Sequence, residues 1–287
     1  MSGIATFSRR TAALYCCACT AVLILSPPAT AQFPFDVPYV PTPQVVVDEM
    51  LRVANVGPRD FVIDLGSGDG RIPITAAKKF GARALGVELD EHLIFQSEES
   101  ARQAAVEDRV TFLHQDLFKT DISRATVITM YLLPAVNRRL RPRLLDLKPG
   151  TRIVAHDFDL EDWKPDRKVT IRKNVFLWIV PAKVAGRWRM RVMLPGGERD
   201  FEFELRQRFQ EIDGLARVEG RIAAPLWEPK LDGERISFIM VDTADADNEA
   251  SLYFLGRVGG NAMEGEARRG VGKAQTTVKW RAVRVGS

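Results

Sequence analysis

Residues 61–74 read FVIDLGSGDGRIPI, an apolar run that ends in an acid and then breaks into three closely spaced glycines. The run FVIDL predicts a buried strand, and RIPITAAKKF at 71–80 predicts a helix that begins directly after the last glycine. Glycines let the backbone turn sharply and approach a ligand closely, because they carry no Cβ atom. The stretch therefore predicts a strand–loop–helix unit that either wraps a nucleotide-like ligand or forms only a tight turn.

Short apolar runs and helical patterns alternate on both sides of this unit. Thr42 and Pro43 predict an N-cap and a first helical residue for a helix at 44–56. The later predicted strands cover 84–89, 110–115, 126–132 and 152–158, and the predicted helices between them cover 92–105 and 135–147. VTIR and VFLWIV, joined by Lys173-Asn174, predict a closing antiparallel hairpin. The pattern indicates an α/β fold with a mainly parallel sheet and helices on both faces.

The helical pattern ends at about residue 184, and short strand-like runs separated by Gly- and Asp-bearing turns follow it. FEFELR and VKWRAVRV alternate apolar and polar residues, which predicts strands with one buried face. The sequence thus predicts an α/β domain at 32–183 and a smaller antiparallel all-β barrel or sandwich, of about seven strands, at 184–287. The aromatic residues of the second domain are predicted to form its core: Trp188, Phe201, Phe203, Phe209, Trp227, Phe238, Tyr253, Phe254 and Trp280.

Residues 1–31 stand apart from both domains. Arg9 and Arg10 precede the apolar run TAALYCCACTAVLIL, and SPPATA follows it. This arrangement predicts a signal peptide cleaved after Ala31, and hence an exported or periplasmic protein. The alternative is an uncleaved anchor that associates the protein with a membrane, although the apolar core is shorter than the roughly 20 residues of a spanning helix. All three cysteines lie in this segment, so the mature chain would have no disulfide or thiolate chemistry.

The charge pattern argues against some partners. The net charge is +4, with both signs interspersed and no Lys/Arg block, so we expect no nucleic-acid partner. His92 and His114 show no metal-ligand spacing, and we expect no metal site.

The glycine loop itself narrows the choice of ligand. Gly66, Gly68 and Gly70 form G-x-G-x-G, with Ser67 between the first two, whereas a dinucleotide loop reads G-x-G-x-x-G. Asp64 at the strand tip would repel a diphosphate, but it would attract a cofactor with an amino-acid end and a positive sulfur. We therefore predict that these five residues bind S-adenosylmethionine (SAM).

The next two predicted strands also end in acids. Glu88 could accept hydrogen bonds from the ribose hydroxyls, and Asp116 could accept one from the adenine amino group. Leu89, and Leu117 or Phe118, would lie beside these groups. Each acid could instead be a solvated strand end, but three acids that end three consecutive strands share the sheet edge where open α/β folds bind ligands.

Residues 36–165 resemble class I SAM-dependent methyltransferases, and among these the lysine methyltransferases related to the ATP synthase c-subunit methyltransferase and their bacterial relatives. The shared motifs are PYVPTP (38–43), DLGSGDGRI (64–72), GVELD (86–90), QDLF (115–118) and YLLP (131–134). The resemblance implies a seven-stranded Rossmann-like fold, SAM as methyl donor and a protein lysine as one possible acceptor; a small-molecule acceptor remains open. It also implies that Tyr39 and Thr42 belong to a segment that folds over the cofactor, unless that segment is a solvated linker.

Methyl transfer is an in-line displacement, so the enzyme mainly aligns the acceptor, excludes water and, for lysine, favours the neutral amine. In this fold class the segment from Tyr131 to Pro134 faces the methyl group, and Tyr131 could contact the amine through its hydroxyl or ring. His156 could take a proton and Asp157 could orient the amine. The alternatives are that Tyr131 belongs to the core and that His156 and Asp157 only tether a loop.

The second functional hypothesis is an exported SAM- or nucleoside-binding protein without turnover. SAM is made in the cytosol, and an exported enzyme would have no obvious supply of it. In that case the C-terminal domain would bind a partner or a small ligand, and an internal ligand site would need an interior larger than its side chains fill.

Overall fold

The computed structural model describes residues 39–194, 197–220, 224–242, 250–269 and 275–286, which all belong to one compact unit. The predicted signal segment at 1–31, with its export and anchor alternatives, lies outside the described residues. Among the helices that are described, none is long and apolar enough to cross a membrane.

The first part of the chain is built on a seven-stranded sheet. Its strands are β1 (Phe61–Leu65), β2 (Arg83–Glu88), β3 (Val110–His114), β4 (Val127–Met130), β5 (Arg152–His156), β6 (Arg167–Ile171) and β7 (Lys173–Ile179). They lie in the order β3-β2-β1-β4-β5-β7-β6, and only β7 runs antiparallel to its neighbours. This mixed sheet confirms the predicted Rossmann-like fold.

Four helices cover the two faces of this sheet: α1 (Gln44–Val53), α2 (Arg71–Phe80), α3 (Glu91–Gln103) and α4 (Pro134–Leu145). The first three share one apolar core with the sheet, and α4 packs into a second core on the other face. Helix α2 ends at Gly81, whose positive φ of 72° suits a glycine C-cap. The predicted N-cap of α1 is wrong: Pro43 occupies that position, because the Thr42 side chain contacts His156 instead.

The hairpin that closes the sheet turns earlier than predicted. Ile171 pairs with Lys173, and Arg172 makes the turn in the left-handed conformation with φ 60°. Lys173-Asn174 therefore begins β7 rather than forming the turn.

The C-terminal part is a nine-stranded antiparallel sheet that nearly closes into a barrel. Its strands are β8 (Gly186–Leu194), β9 (Gly197–Arg208), β10 (Glu211–Val218), β11 (Ala224–Pro225), β12 (Trp227–Asp232), β13 (Arg235–Asp242), β14 (Ala250–Gly259), β15 (Ala262–Arg269) and β16 (Thr276–Gly286). The first strand of this part, β8, pairs with the last, β16. Leu226 connects the two edge strands, β11 and β12, and its N–H donates to Gly214 O of β10 at 2.9 Å. The sheet has two more strands than expected, yet it confirms the predicted barrel-like domain.

Aromatic side chains fill the described barrel interior. Phe254 stacks on Phe238 at 5.1 Å between ring centroids and meets Trp280 edge-on at 5.6 Å. The core prediction is correct for Trp188, Phe201, Phe203, Phe238, Phe254 and Trp280. It is wrong for Trp227 and Tyr253, which are 58% and 38% exposed on the outer face. Phe209 belongs to the junction with the α/β part, where it stacks on Trp163.

The barrel meets the sheet at the amino end of β5. Ala182 N donates to Gly233 O at 2.8 Å, and Gly233 packs so closely on Gly150, two residues before β5, that an added Cβ would lie 2.9 Å from the Gly150 Cα atom. Lys183 pairs with Asp146 at the C-terminal end of α4. The carboxyl ends of the parallel strands, where three acids were predicted to gather, lie at the opposite edge.

Candidate active site

A cavity lies at the carboxyl edge of the parallel strands. It is bounded by residues 39–42, which we call the strap, by the glycine loop after β1, and by the ends of β2, β3 and β4. The structure brings most of the predicted site residues to its wall: Tyr39, Thr42, Asp64, Gly66, Ser67, Gly68, Glu88, Leu89, Asp116, Leu117 and Tyr131. Gly70, Pro134, His156 and Asp157 lie outside this lining.

The glycine loop depends on backbone conformations that favour glycine. Gly66, Gly68 and Gly70 have φ values of 76°, 54° and 77°. A Cβ atom on Gly68 would lie 2.5 Å from Cε2 of Tyr39, because the tyrosine ring rests on the loop. The Ser67 hydroxyl is buried between this loop and Gly86 of β2 and has no hydrogen-bond partner.

Asp64 has the most unusual environment in the cavity wall. Its side chain is almost fully buried, and Oδ1 accepts a hydrogen bond from Thr129 Oγ1 at 2.6 Å. The second oxygen, Oδ2, has no partner. Burial raises the pKa of this carboxyl to about 8; the Thr129 bond opposes the shift, and the nearby carboxylates of Glu88 and Asp69 add to it.

Glu88 braces the end of β2 against the glycine loop. Its Oε2 accepts the Gly68 N–H at 2.9 Å, and its Oε1 accepts the N–H groups of Leu89 and Asp90 at 2.7 and 3.1 Å. A carboxylate has about four acceptor sites, so one stays open on Oε2 for a ligand hydroxyl.

Asp116 stands at the end of the cavity next to β3. Its Oδ1 accepts the Phe118 N–H at 2.8 Å, and its Oδ2 lies 3.9 Å from Lys119 Nζ. Leu117 lines the cavity beside it. The acids at the carboxyl ends of β1 and β2 and just after β3 thus line one cavity along the same edge of the sheet.

The strap is tied to both the glycine loop and β5. Arg71, at the start of α2, donates to Thr42 O at 2.8 Å and to Asp69 Oδ1 at 2.8 Å. Partial burial, together with the nearby Asp69 carboxylate, raises the pKa of the Tyr39 phenol. Thr42 Oγ1 lies 3.3 Å from His156 Nδ1. The strap therefore packs over the cavity as part of the folded domain.

Tyr131 lines the side of the cavity next to β4, and His156, the last residue of β5, lies behind it. Their ring centroids are 4.1 Å apart, and the Phe158 ring lies 6.2 Å from Tyr131. His156 is buried behind Tyr131, and its Nε2 has no partner. Burial lowers the pKa of His156 below its usual value, which favours the neutral imidazole.

Asp157 and Pro134, outside the cavity lining, each have a local structural contact or position. Asp157 Oδ2 pairs with Lys173 Nζ at 2.8 Å, and its backbone is left-handed with φ 66°. Pro134 is the first residue of α4, where its fixed φ favours the helix start.

Sequence reasoning missed two further residues of this region. Thr129 lies opposite Asp64 in the β1–β4 register, a pairing that the separate strand patterns do not reveal. Asn137 is buried on α4 and donates to the carbonyl groups of Phe158 and Asp159 at 3.4 and 3.2 Å. A signal for Asn137 was available, since it precedes Leu140 by three residues and Leu144 by seven and therefore lies on the apolar face of the helix. Among the residues that the structure describes, no cluster of His, Cys, Asp or Glu could hold a metal ion.

Known proteins match this part of the chain. Residues 64–167 match the ANTKMT methyltransferase domain family. The protein-lysine N-methyltransferase of Saccharolobus islandicus is 43% identical over 151 residues, which cover 50% of this chain and 94% of the relative. The chain belongs to this protein-lysine methyltransferase family. The ATP synthase c-subunit lysine N-methyltransferase of Homo sapiens is 32% identical over 130 residues, and the match spans 55% of that relative.

A solved structure extends the comparison to the bound cofactor. The RNA methyltransferase from Salinibacter ruber, in complex with S-adenosyl-L-homocysteine (SAH), is 50% identical, with a TM-score of 0.50, and the match covers 50% of this chain and 96% of that one. The present chain therefore uses SAM as its methyl donor. The described residues fit such a cofactor: the glycine loop gives close backbone approach, and Asp64 and Ser67 present buried polar atoms without partners.

Proposed function

We propose that this enzyme transfers the methyl group of SAM to the side-chain amine of a protein lysine by in-line displacement. The observation that carries the proposal is the charge of the cavity wall. Besides the buried Asp64, four acids line it, namely Asp69, Glu88, Asp90 and Asp116, against one base among the described lining residues, Arg71. Arg71 is already paired with Asp69.

The names of the relatives give two kinds of methyl acceptor, a protein lysine and RNA. The charge of the cavity wall favours one of them. Nucleic acids carry a dense row of phosphates, and proteins that bind them neutralise these charges with Lys and Arg. An acidic cavity repels such a polymer and attracts a lysine ammonium. The acidic wall therefore supports a lysine acceptor, as in the name of the Saccharolobus islandicus relative, over RNA, as in the name of the Salinibacter ruber structure.

The side chains of Tyr131 and His156 support the same chemistry. SAM, when bound, supplies a methyl group attached to a positive sulfur, and the amine lone pair forms the new C–N bond as the S–C bond breaks. The Tyr131 ring would flank the amine, and a neutral His156 could accept its proton at Nε2. Thr42 holds the other ring nitrogen. His156 must reach the amine beside Tyr131 or through a water for this role.

The test is a transfer assay with the full-length protein, methyl-labelled SAM, and two acceptors offered separately: lysine-rich unmodified protein and total RNA. We expect label in the protein fraction, found by mass spectrometry as Nε-methyl-lysine. Label in RNA would overturn the acceptor assignment. SAM binding by calorimetry with no label in any fraction would instead favour the binding protein without turnover.

We also propose that residues 1–31 direct export, with cleavage after Ala31. The basic start, short apolar core and small-residue end of the segment support this. The mass of the protein recovered from its producing cells tests it: a chain that begins at Gln32 is expected, and an intact chain in the membrane fraction would favour the anchor.

A further inference from the structure

Asp64 is a buried acid, and among the described residues no cationic side chain is paired with it. The carboxyl is 1% exposed, Oδ1 accepts a hydrogen bond from Thr129, and Oδ2 is buried without a partner in a residue that lines the cavity. An ionised carboxylate in this position would lose its hydration without gaining a counter-charge, so the protonated acid is favoured while no ligand is present.

The surrounding ionisable groups do not supply that counter-charge. The nearest charged neighbours are two further acids, Glu88 on β2 and Asp69 in the glycine loop, and both raise the pKa of Asp64. Arg71 on α2 is committed to Asp69 and to the strap carbonyl of Thr42. The other ionisable groups of the cavity wall and its backing are Tyr39, Asp90, Asp116, Tyr131 and His156. Burial disfavours the positively charged form of His156.

The strand order indicates which part of the cofactor meets Asp64. Neighbouring strands lie about 5 Å apart, so the ends of β3, β2 and β1 form a row with that spacing. With adenine at Asp116 and ribose at Glu88, the next step along the row places the amino-acid end of the cofactor over β1. That end carries an ammonium group in both SAM and SAH.

We propose that Asp64 holds a proton in the cofactor-free enzyme and releases it to solvent when the ammonium group of SAM or SAH binds beside Oδ2. The O–H bond of the acid breaks, the proton passes to the buffer, and the carboxylate pairs with the incoming cation. This inference rests on the cofactor and not on the lysine acceptor proposed above, so either can fail without the other.

The sign of the pH dependence follows. Because binding releases a proton, raising the pH strengthens binding until Asp64 is already ionised in the free enzyme, near pH 8. Below that point the affinity falls by about tenfold for each pH unit. At pH 7 the protonated acid is the predominant form, so binding is expected to release most of one proton.

The experiment is calorimetric titration of the full-length protein with SAH at pH 7, in phosphate and in Tris. The dependence of the measured heat on buffer ionisation enthalpy gives the number of protons released. We expect most of one proton for SAH and for SAM, and near zero for methylthioadenosine, which lacks the ammonium group. Near zero for SAH would overturn the proposal, and release with SAM alone would overturn the choice of the ammonium over the sulfonium.

Three variants identify the releasing group. Asp64→Asn keeps the shape and the Thr129 contact but cannot release a proton, so the count should drop to near zero and the affinity should stop changing between pH 6 and 8. Thr129→Val removes the bond that opposes the pKa rise, so the pH dependence should extend to higher pH. Glu88→Gln should bind more weakly and still release a proton, although a smaller fraction of one, because it removes a carboxylate that raises the pKa of Asp64. An unchanged count in Asp64→Asn would assign the proton to another group.

Discussion

The two sheets of this protein treat buried polar atoms in opposite ways. At the carboxyl edge of the α/β part, Asp64, Ser67, Asn137 and His156 each have a buried atom without a partner. In the barrel the indole N–H groups of Trp188 and Trp280 are satisfied by backbone carbonyls, and the described inward positions are apolar. Unsatisfied buried groups are costly, so they persist where a ligand completes them. The difference marks one sheet edge as the reactive surface and the barrel interior as a source of stability.

The largest expected effect concerns barrel stability. Phe238→Ala removes a fully buried ring that contacts Phe203, Phe254 and Trp280, and should lower the free energy of unfolding by about 4 kcal/mol, equivalent to roughly a thousandfold in the folding constant. Chemical denaturation measures it. The SAM affinity of the protein that remains folded should stay within about threefold, because the barrel joins the opposite edge of the sheet. Trp227→Ala, on the outer face, is the matched control and should change stability by less than about 0.5 kcal/mol.

How far the sequence could predict these regions depends on the range of the interactions. Phe61–Leu65 and Arg71–Phe80 have the predicted bounds, because an apolar run and flanking glycines are local signals. The partner of Thr42 is His156, 114 positions away, so local helix rules assigned Thr42 the wrong role. The Asp64–Thr129 bond likewise spans 65 positions and depends on strand register. The acids themselves were predictable because each ends an apolar run.

Replacing His156 tests whether its Nε2 atom, which has no hydrogen-bond partner, accepts a proton during methyl transfer or is only a buried polar atom of the core. His156→Gln should lower kcat by about 100-fold, the usual contribution of a general base, while the SAM affinity changes little. In the parent enzyme the neutral form is active, so kcat should fall as the pH drops through the His156 pKa. Because burial lowers the pKa of His156 below its usual value of 6.5, kcat should fall only below that pH and should not change with pH around pH 7. A kcat within threefold of the parent value would make His156 a structural residue.

Glu88→Gln addresses the acid that is already satisfied by backbone groups. In the parent protein one Glu88 oxygen accepts one backbone N–H group and the other accepts two. The glutamine amide keeps one of these oxygens and replaces the other with an NH2 group, which cannot accept. We expect SAM to bind about 20-fold more weakly, in line with the loss of charge-assisted hydrogen bonds. Calorimetry measures this, with Glu91→Gln, on the exposed first turn of α3, as the control. Unaltered affinity would show that Glu88 only braces the glycine loop.

The smallest expected effect is at Asp157, where the structure gives a complete local account of the side chain. Its carboxylate is paired with Lys173, and its left-handed backbone is one that Asn adopts readily, so Asp157→Asn should keep the loop conformation. If the ion pair is the whole role of this acid, kcat/KM for a lysine acceptor falls by less than about threefold, since exposed pairs contribute little. Lys173→Gln should give the same small change, because it removes the same pair from the other side. A tenfold rise in KM for the acceptor in Asp157→Asn alone would show instead that the carboxylate orients the amine, and would extend the reactive edge from β4 to the loop after β5.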